Sequence, residues 1–453
     1  MVSAAERIFL IIERLRRERA FECLAELEEN QWFSLAEINN LQFEVLMHLV
    51  RHAYANVGYY RSLFDSLRIR PSDIRNEDDF RRIPVLTKEC LRRNSREMLA
   101  SNHKERVYVA STSGTTGLPL TFYRDGMSMG YSLAAMYRGH RWYGVDVGAK
   151  EAMLWDTPIG RTARVKAKWK DLLLNRFRQK ECNLREENLL HFSRTMRRKR
   201  PDYLMGFPSM VYPFAVFLKE QGIDGKLFGL KMVKCTGETV FDYQTQAIES
   251  VFGCQSVQEY GSAETGVIAF ECPERGLHLM ADCVYVEFLD ESDGPAGLGR
   301  SARIVVTNLR NLSMPILRYD LGDMAVASDK LCSCGRGLPL MKSVDGRVCD
   351  YILTADGTRA HSSVLYHIVK KLAEEGHVVK QWRVYQTAAN ELKIKIVKGP
   401  GFSEKTLVRM NRGLHQYLGS GMNFHYEFVP DIPREKSGKL RNFVPLPSSA
   451  PQK

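Results

Sequence analysis

The chain has 453 residues, of which 44% are hydrophobic and 26% charged, as in a globular protein rather than a disordered or collagen-like one. It contains no run of the ~18 apolar residues that a spanning helix needs and no signal-peptide pattern. We therefore expect a soluble cytoplasmic protein without a transmembrane segment, whose ten cysteines are reduced thiols or metal ligands.

The net charge of +12 is concentrated in one segment of the chain. Residues 161–200 contain fourteen basic and four acidic residues, so this segment alone contributes 14 − 4 = +10. The rest of the chain is nearly balanced, which argues against a nucleic-acid-binding protein. The segment is interpreted either as a solvated helical face or as a site for an acidic partner. Trp169 and Leu172–Leu174 within it face either the core or a membrane surface.

The chain begins with a helical region of ~100 residues, because apolar residues such as Leu46, Leu49 and Val50 recur at helical spacing. Pro84 should end any helix before it, and Thr87 is placed to cap the next helix. From about residue 106 to residue 345, short apolar runs alternate with helical stretches, which is typical of an α/β domain. The predicted strands there are Ala152–Leu154, Tyr203–Met205, Met232–Lys234, Val284–Leu289 and Ile304–Thr307.

The last ~100 residues read as a small α+β domain. The predicted strands are Gln381–Tyr385, Leu392–Val397 and Phe424–Val429, with a helix over Glu404–Tyr417. The expected fold class is therefore α/β, with a large multi-layered N-terminal α/β domain over 1–347 and a small α+β C-terminal domain over 348–453. The helical lead-in occupies 1–105, and the domain boundary falls near Gly346–Asp350.

Five polar segments carry the chemistry. In Ser111–Pro119, glycines and hydroxyls can cradle phosphate oxygens, although no GK[ST] follows as in a Walker A loop. The other four are Glu259–Thr265, Leu317–Asp323, Asp345–Arg347 and Pro433–Arg441. Each segment alone is a common loop, but their order along the chain is specific.

In this order the segments resemble the adenylate-forming superfamily of acyl-CoA synthetases, adenylation domains and luciferases. The resemblance extends from Ser111 to Lys439 and so covers nearly the whole chain. A closer similarity is to the phenylacetate–CoA ligase branch and its capsule-biosynthesis (CapK-type) subgroup. The segments that carry it are His52–Arg61, Ile83–Lys88, Gly206–Ser209 and Cys332–Pro339.

The resemblance implies a ligase that uses ATP and Mg²⁺ to activate a small carboxylic acid as acyl-AMP. It then transfers the acyl group to CoA or an amine acceptor, while the small C-terminal domain changes orientation. The capsule-type similarity suggests a saccharide or cell-envelope acid as substrate. For the basic segment it suggests the CoA phosphates, an acyl carrier protein or an acidic saccharide as partner.

The resemblance also implies roles for individual residues. Lys439 and Glu264 are the catalytic residues, and Glu264 also binds Mg²⁺. The nucleotide-binding residues are Ser113, Gly114, Thr115, Thr116 and Gly117 for the phosphates, Gly237, Glu238 and Tyr260 for the adenine, Asp323 for the ribose, and Arg347 for the ribose or phosphate side. Leu120 stands where many members have Lys. Either Cys349 or Asp350 is the expected hinge pivot.

A zinc site is predicted from Cys272, His278, Cys332 and Cys334. Three thiolates and one imidazole form a closed tetrahedral set that is typical of structural zinc. Some members of the phenylacetate-ligase branch have metal-binding cysteines in these segments. The alternative is four unrelated buried residues.

Three other functions stay open at this point. One is an amide-forming ligase, and another is an enzyme that transfers AMP to a cofactor without an acyl step. The third is a non-catalytic member of a polysaccharide-biosynthesis pathway. Loss of Glu264, Asp323 or Lys439 would have favoured that third function, but all three are present.

Overall fold

A computed structural model describes residues 19–102, 107–112, 120–155, 161–179, 185–347, 351–362, 364–365, 368–369, 372, 378–399, 401–434 and 440–446. The N-terminal region is mainly helical in its described part. It contains α1 (Ala20–Asn30), α2 (Leu35–Asn56), α3 (Gly58–Leu67), α4 (Glu77–Arg81) and α5 (Lys88–Asn94). The Thr87 hydroxyl accepts the Cys90 N–H at 3.2 Å, which confirms the predicted helix cap. Pro84 lies in the short link between α4 and α5, as predicted.

The next residues form an antiparallel pair and then half of a large sheet. The pair is β1 (Tyr108–Thr112) and β2 (Leu120–Arg124), followed by α6 (Gly126–Arg141). The alternating elements after it are β3 (Glu151–Leu154), α7 (Arg161–Leu173), β4 (Arg176–Arg178), α8 (Glu186–Lys199), β5 (Tyr203–Gly206), α9 (Pro208–Glu220), β6 (Met232–Thr236), α10 (Asp242–Phe252) and β7 (Gln255–Ser262). These five strands are parallel in the order β4-β3-β5-β6-β7.

The other half of the sheet is antiparallel. It contains β8 (Gly266–Glu271), β9 (Leu277–Leu279), β10 (Val284–Leu289), β11 (Ser301–Asn308), β12 (Ile316–Ala327) and β13 (Leu340–Arg347). The order continues from β7 as β8-β9-β13-β12-β11-β10, which gives an eleven-stranded mixed sheet. All five predicted strands of this region are confirmed, and Val284–Leu289 has the same bounds in the structure. The change from parallel to antiparallel pairing occurs at β7.

The C-terminal region is a separate α+β unit, which confirms the predicted fold class. It contains β14 (Tyr351–Leu353), β15 (Arg359–His361), β16 (Val379–Ala388), β17 (Glu391–Lys398), α11 (Glu404–Leu418), β18 (Asn423–Phe428) and β19 (Phe443–Val444). Its four-stranded sheet has the order β18-β17-β16-β19. The large sheet runs through Arg347 in β13, and the separate β14–β15 pair begins at Tyr351. The division into domains at residue 347 stays a prediction.

The core of the parallel half continues into the C-terminal unit. One apolar cluster includes Tyr212 of α9, Tyr243 of α10, and Val379 and Trp382 of β16. These side chains pack the C-terminal sheet against the large domain, and their burial favours this arrangement of the two units. Of the helices that the structure describes, none is both long and apolar enough to cross a bilayer.

Candidate active site and metal centre

Two predicted nucleotide-binding residues meet although the chain separates them by 63 residues. The Tyr260 hydroxyl in β7 donates a hydrogen bond to Asp323 Oδ2 in β12 at 2.9 Å. Four strand intervals separate β7 from β12 in the sheet order, which would be about 19 Å in a flat sheet. The antiparallel half must therefore curl so that these two side chains face each other.

Arg347 joins this pair through the strand register. Asp323 and Arg347 are opposite residues in the β12–β13 pairing, immediately before the predicted hinge. The structure therefore brings together the three residues that were predicted near the adenine and the ribose. Their nucleotide-binding roles stay predictions.

Glu264 lies in the tight turn between β7 and β8, close to the same strands. Its side chain is nearly buried and its Oε1 accepts a hydrogen bond from the Tyr319 hydroxyl at 3.4 Å. Burial and the adjacent Glu264 raise the pKa of Tyr319, so its hydroxyl keeps the proton that it donates. Gly266 ends the turn at φ +86°, where a Cβ would come within 2.7 Å of the Ser132 hydroxyl. The turn therefore holds a carboxylate in a fixed place, as a Mg²⁺ ligand would require.

The phosphate loop and the adenylation lysine lie outside the described residues. This applies to Ser113–Gly117 and to Lys439. The residues that flank the loop, Thr112 and Leu120, are opposite each other in the β1–β2 pair. The flank of Lys439 is described at Leu440, whose backbone N–H donates to Glu238 Oε1 at 2.7 Å.

Glu238 is part of a polar group that connects the two units, which we call the interdomain cluster: Ser209, Glu238 and Arg434. Glu238 accepts hydrogen bonds from the Ser209 hydroxyl at 2.9 Å and the Ser209 N–H at 3.1 Å. Arg434 donates to the hydroxyl and the carbonyl oxygen of Ser209, both at 2.7 Å. Burial raises the pKa of the Glu238 carboxyl, and the Arg434 charge and these hydrogen bonds act against that rise.

The Glu238 side chain is thus engaged by Ser209 and the Leu440 N–H, and the predicted adenine-side role of Gly237 and Glu238 stays a prediction. Gly237 has φ +77°, a conformation that glycine adopts without strain. In the sequence, Ser209 and Arg434 lie within two of the segments that carry the resemblance, Gly206–Ser209 and Pro433–Arg441, and neither was predicted to have a role. Nothing in the sequence paired these two residues.

The four predicted metal ligands converge. Cys272, His278, Cys332 and Cys334 place one ligand atom each within 4.8 Å of all the others. Cys272 Sγ and Cys332 Sγ are 3.6 Å apart, and Cys334 Sγ is 3.2 Å from His278 Nε2. In a tetrahedral zinc site with Zn–S bonds of about 2.3 Å, neighbouring sulfur atoms are about 3.8 Å apart. The four side chains are thus grouped closely enough to hold the predicted ion, although zinc itself stays a proposal.

The surroundings of these four residues also suit a metal. His278 Nδ1 lies 3.0 Å from the Leu338 carbonyl oxygen, which leaves Nε2 as the ligand atom. Burial lowers the pKa of His278 to about 4, so the imidazole is neutral. Burial acts to raise the pKa of Cys334, but hydrogen bonds from Arg336 lower it overall. A Cβ on Gly276 would lie 2.7 Å from Cys332 Sγ, so this position stays open only with glycine.

The loop that carries Cys332 and Cys334 is attached to the N-terminal helices. The Arg336 guanidinium lies over the rings of Trp32 and Trp142, and its Nε donates to Gln31 Oε1 at 3.1 Å. The Gly337 N–H donates to the Gln31 carbonyl oxygen at 3.1 Å. A metal ion here would therefore connect the β8–β9 hairpin, this loop and the α1–α2 link.

Arg318 has a structural role that its motif did not indicate. It is buried at φ +49°, and its guanidinium forms a two-point ion pair with Glu287 at 2.9 and 3.0 Å. It also donates to the backbone carbonyl oxygens of Arg81 and Ile83. Arg318 therefore attaches the helical N-terminal region to β12, four residues before Gly322 and five before Asp323.

Comparisons with known proteins agree with the predicted resemblance. Residues 352–444 match the CapK C-terminal domain family. The chain is 21% identical to Protein CapK of Staphylococcus aureus, over 97% of this chain and 95% of that protein. It is 24% identical to phenylacetate-coenzyme A ligase of Thermus thermophilus, over 90% of this chain and 97% of that protein.

Solved structures of adenylate-forming ligases share the fold. A 2-hydroxyisobutyryl-CoA ligase in its postadenylation state superposes with a TM-score of 0.75 at 18% identity, over 92% of this chain and 91% of that one. The same ligase in its thioesterification state gives a TM-score of 0.62 at 19% identity, over 92% of this chain and 91% of that one. The predicted resemblance is confirmed.

Proposed function

We propose that this chain is an ATP-dependent, adenylate-forming ligase that activates a carboxylic acid as acyl-AMP and transfers the acyl group to CoA. The observation that carries the proposal is the 2.9 Å hydrogen bond from Tyr260 to Asp323. Asp323 also lies opposite Arg347 in the β12–β13 pairing. In a chain that resembles these ligases from end to end, this geometry supports a nucleoside site at the curled half of the sheet. The reaction is assigned to the cytoplasm.

The roles of the residues follow from their positions. Asp323 is a fixed carboxylate that can accept hydrogen bonds from ribose hydroxyls, and Tyr260 orients it. Glu264, held in its turn, would bind Mg²⁺ beside the phosphates, where the ion would neutralise charge during transfer of the nucleotidyl group. The loop Ser113–Gly117 would hold the phosphates, and Lys439 would stabilise the charge that develops between the carboxylate and the α-phosphate.

Cys272, His278, Cys332 and Cys334 are proposed to hold one structural zinc ion. The set has four protein ligands and no open position, which suits a structural ion rather than a catalytic one. The ion would stabilise the loop around Arg336 and would not take part in the reaction.

The acid and the acceptor are the open parts of the proposal. CoA is favoured because the similar curated ligases are named for coenzyme A. An amine acceptor, an acyl carrier protein and cofactor adenylylation stay alternatives, as does a cell-envelope acid or saccharide as substrate, given the similarity to Protein CapK.

Carboxylate-dependent ATP–pyrophosphate exchange with Mg²⁺ tests the proposal. The panel should contain aryl, fatty, hydroxy, amino and uronic acids, and CoA or amines are added once an acid gives exchange. Exchange with one class of acid supports adenylation and identifies the substrate class. Folded, zinc-loaded protein that exchanges with none of them would contradict the proposal and favour a non-catalytic role.

Tyr260→Phe is expected to weaken MgATP binding about five- to tenfold, because it removes one hydrogen bond of about 1–1.4 kcal/mol from Asp323. Titration calorimetry with MgATP measures this change. Tyr54→Phe is the matched control, since the Tyr54 hydroxyl donates to Asp65 at 3.1 Å on the exposed face of the N-terminal helices. Equal MgATP affinity of Tyr260→Phe and the wild type would place the nucleoside elsewhere.

A further inference from the structure

The helix α7 presents an apolar strip to solvent. Its inner side is fixed by Asp171, which is buried and accepts two hydrogen bonds from Arg178 of β4 at 2.6 and 2.7 Å. Val165, Trp169 and Leu172 are 50%, 63% and 70% exposed. At about 100° per residue, these three side chains lie within an arc of about 60° that points away from Asp171.

Lysines border this strip on both sides. Lys166 and Lys168 are exposed and project about 100° and 60° from Val165, in opposite directions around the helix. Lys170 is also exposed, and Asp171, the one acidic residue in Arg161–Leu173, is already paired with Arg178. Trp169, Leu172 and Leu173 are thus not core residues, whereas Leu174 packs against the core. We name Val165, Lys166, Lys168, Trp169 and Leu172 the α7 face.

We propose that the α7 face binds an anionic lipid surface, with the helix lying in the plane of the membrane interface. A short helix with Val, Trp and Leu along one face and lysines at both borders of that face can bury the apolar strip among the acyl chains while the ammonium groups reach the headgroups. An acidic protein would match the lysines, but it would also need its own apolar surface opposite Trp169 and Leu172. The proposal is independent of the ligase reaction.

Sedimentation of the full chain with vesicles tests this binding. The vesicles are phosphatidylcholine alone and an equimolar mixture of phosphatidylcholine and phosphatidylglycerol. We expect binding to the anionic vesicles only, and weaker binding as salt rises from about 0.01 to about 1 M, where the Debye length falls from about 30 to about 3 Å. Lys166→Glu with Lys168→Glu should lower partitioning at least about tenfold, since each basic residue near such a surface contributes about 1 kcal/mol.

Trp169→Ser with Leu172→Ser should also lower partitioning at least about tenfold, because it removes the apolar strip. Leu227→Ser is the matched control, since Leu227 is 53% exposed on another helical turn. Trp169→Phe should keep the binding and lose the blue shift of tryptophan fluorescence on anionic vesicles. Failure of the folded wild type to bind them, or equal binding by the Trp169→Ser, Leu172→Ser variant, would overturn the proposal and leave an acidic protein as the partner.

A second inference comes from the interdomain cluster and rests on the proposed function. Arg434 and Leu440 flank the segment 435–439, which contains Lys439. Both flanks are held by the large domain: Arg434 donates to Ser209, and the Leu440 N–H donates to Glu238. We infer that Ser209, Glu238 and Arg434 are positioning residues that hold the two flanks of the segment 435–439 against the large domain for acyl-adenylate formation. They act through the backbone and need not contact the substrate.

Half-reaction kinetics of Glu238→Gln tests this role. We expect kcat for acyl-adenylate formation to fall about tenfold with the KM for ATP little changed, because a charged acceptor of two backbone N–H groups is replaced by a neutral amide. Conversion of preformed acyl-AMP with CoA should be unchanged. Glu220→Gln is the matched control, since Glu220 also pairs across the units, with Lys380 at 3.4 Å, but at the surface.

Hydrogen exchange gives a second measurement that does not need activity. The Leu440 amide should be protected in the wild type and should exchange about tenfold faster in Glu238→Gln. Equal protection in both proteins, or equal losses in both half-reactions, would overturn the positioning role. Absence of ATP–pyrophosphate exchange in the wild type, with the protection change still present, would instead contradict the proposed function and restrict the cluster to a structural role.

Discussion

Lys439→Ala is expected to lower the rate of acyl-adenylate formation by about 100- to 1000-fold, the usual effect of removing one preorganised donor from a developing anionic charge. In the proposed reaction the Lys439 ammonium stabilises the transition state in which the carboxylate oxygen attacks the α-phosphate. The measurement is single-turnover formation of acyl-AMP with the acid that gives exchange.

The same variant should use preformed acyl-AMP and CoA at nearly the wild-type rate, because AMP is the leaving group of that step. Lys436→Ala, three positions earlier in the same segment, is the matched control and should leave both rates unchanged. Comparable losses in the two half-reactions would remove Lys439 from the catalytic role and would point to a lost structural contact instead.

Cys332→Ser is expected to abolish the binding of about one zinc ion per chain and to lower the melting temperature by several degrees. A tetrahedral structural site loses most of its affinity with one thiolate, and its binding free energy is part of the folding free energy. The loss of stability should be largest in the loop that contains Cys332, Cys334 and Arg336, because this loop connects the metal ligands to Trp32 and Trp142. Elemental analysis and calorimetry measure the two effects.

Cys254→Ser is the control for this variant, since Cys254 is half-buried and lies outside the four-residue cluster. It should retain the ion and a melting temperature close to that of the wild type. Wild-type protein prepared without chelator that contains no zinc would rule out the proposed site, and the four side chains would then be ordinary core residues.

Local patterns in the sequence were sufficient to predict most of the fold. The apolar run Val284–Leu289 is bordered by polar residues and became β10 with the same bounds. The cap at Thr87 was predicted because a hydroxyl just before a helix can accept a hydrogen bond from a first-turn N–H, which has no backbone acceptor within the helix. Such features depend on a few consecutive residues, which a single sequence contains in full.

Contacts between distant segments could not be predicted in this way. Tyr260 and Asp323 were each assigned to the nucleotide by resemblance, but their hydrogen bond depends on the curl of the sheet. Glu238 was expected at the adenine, whereas its carboxylate binds Ser209 and the Leu440 N–H. The metal ligands are an intermediate case. Three cysteines and a histidine are residue types that bind zinc, so the sequence could suggest the site, but only the structure shows that Cys272 and Cys332 lie close together.

The apolar cluster shared by the two units affects the order of the proposed reaction. A rotation of the C-terminal unit would separate Val379 and Trp382 from Tyr212 and Tyr243 and would expose these side chains. We therefore expect a rotated conformer to be the minor one before any ligand binds. An acceptor that binds only the minor conformer has its apparent affinity reduced by the fraction of molecules in that conformer. In the proposed reaction we therefore expect acyl-AMP to form before the acceptor binds.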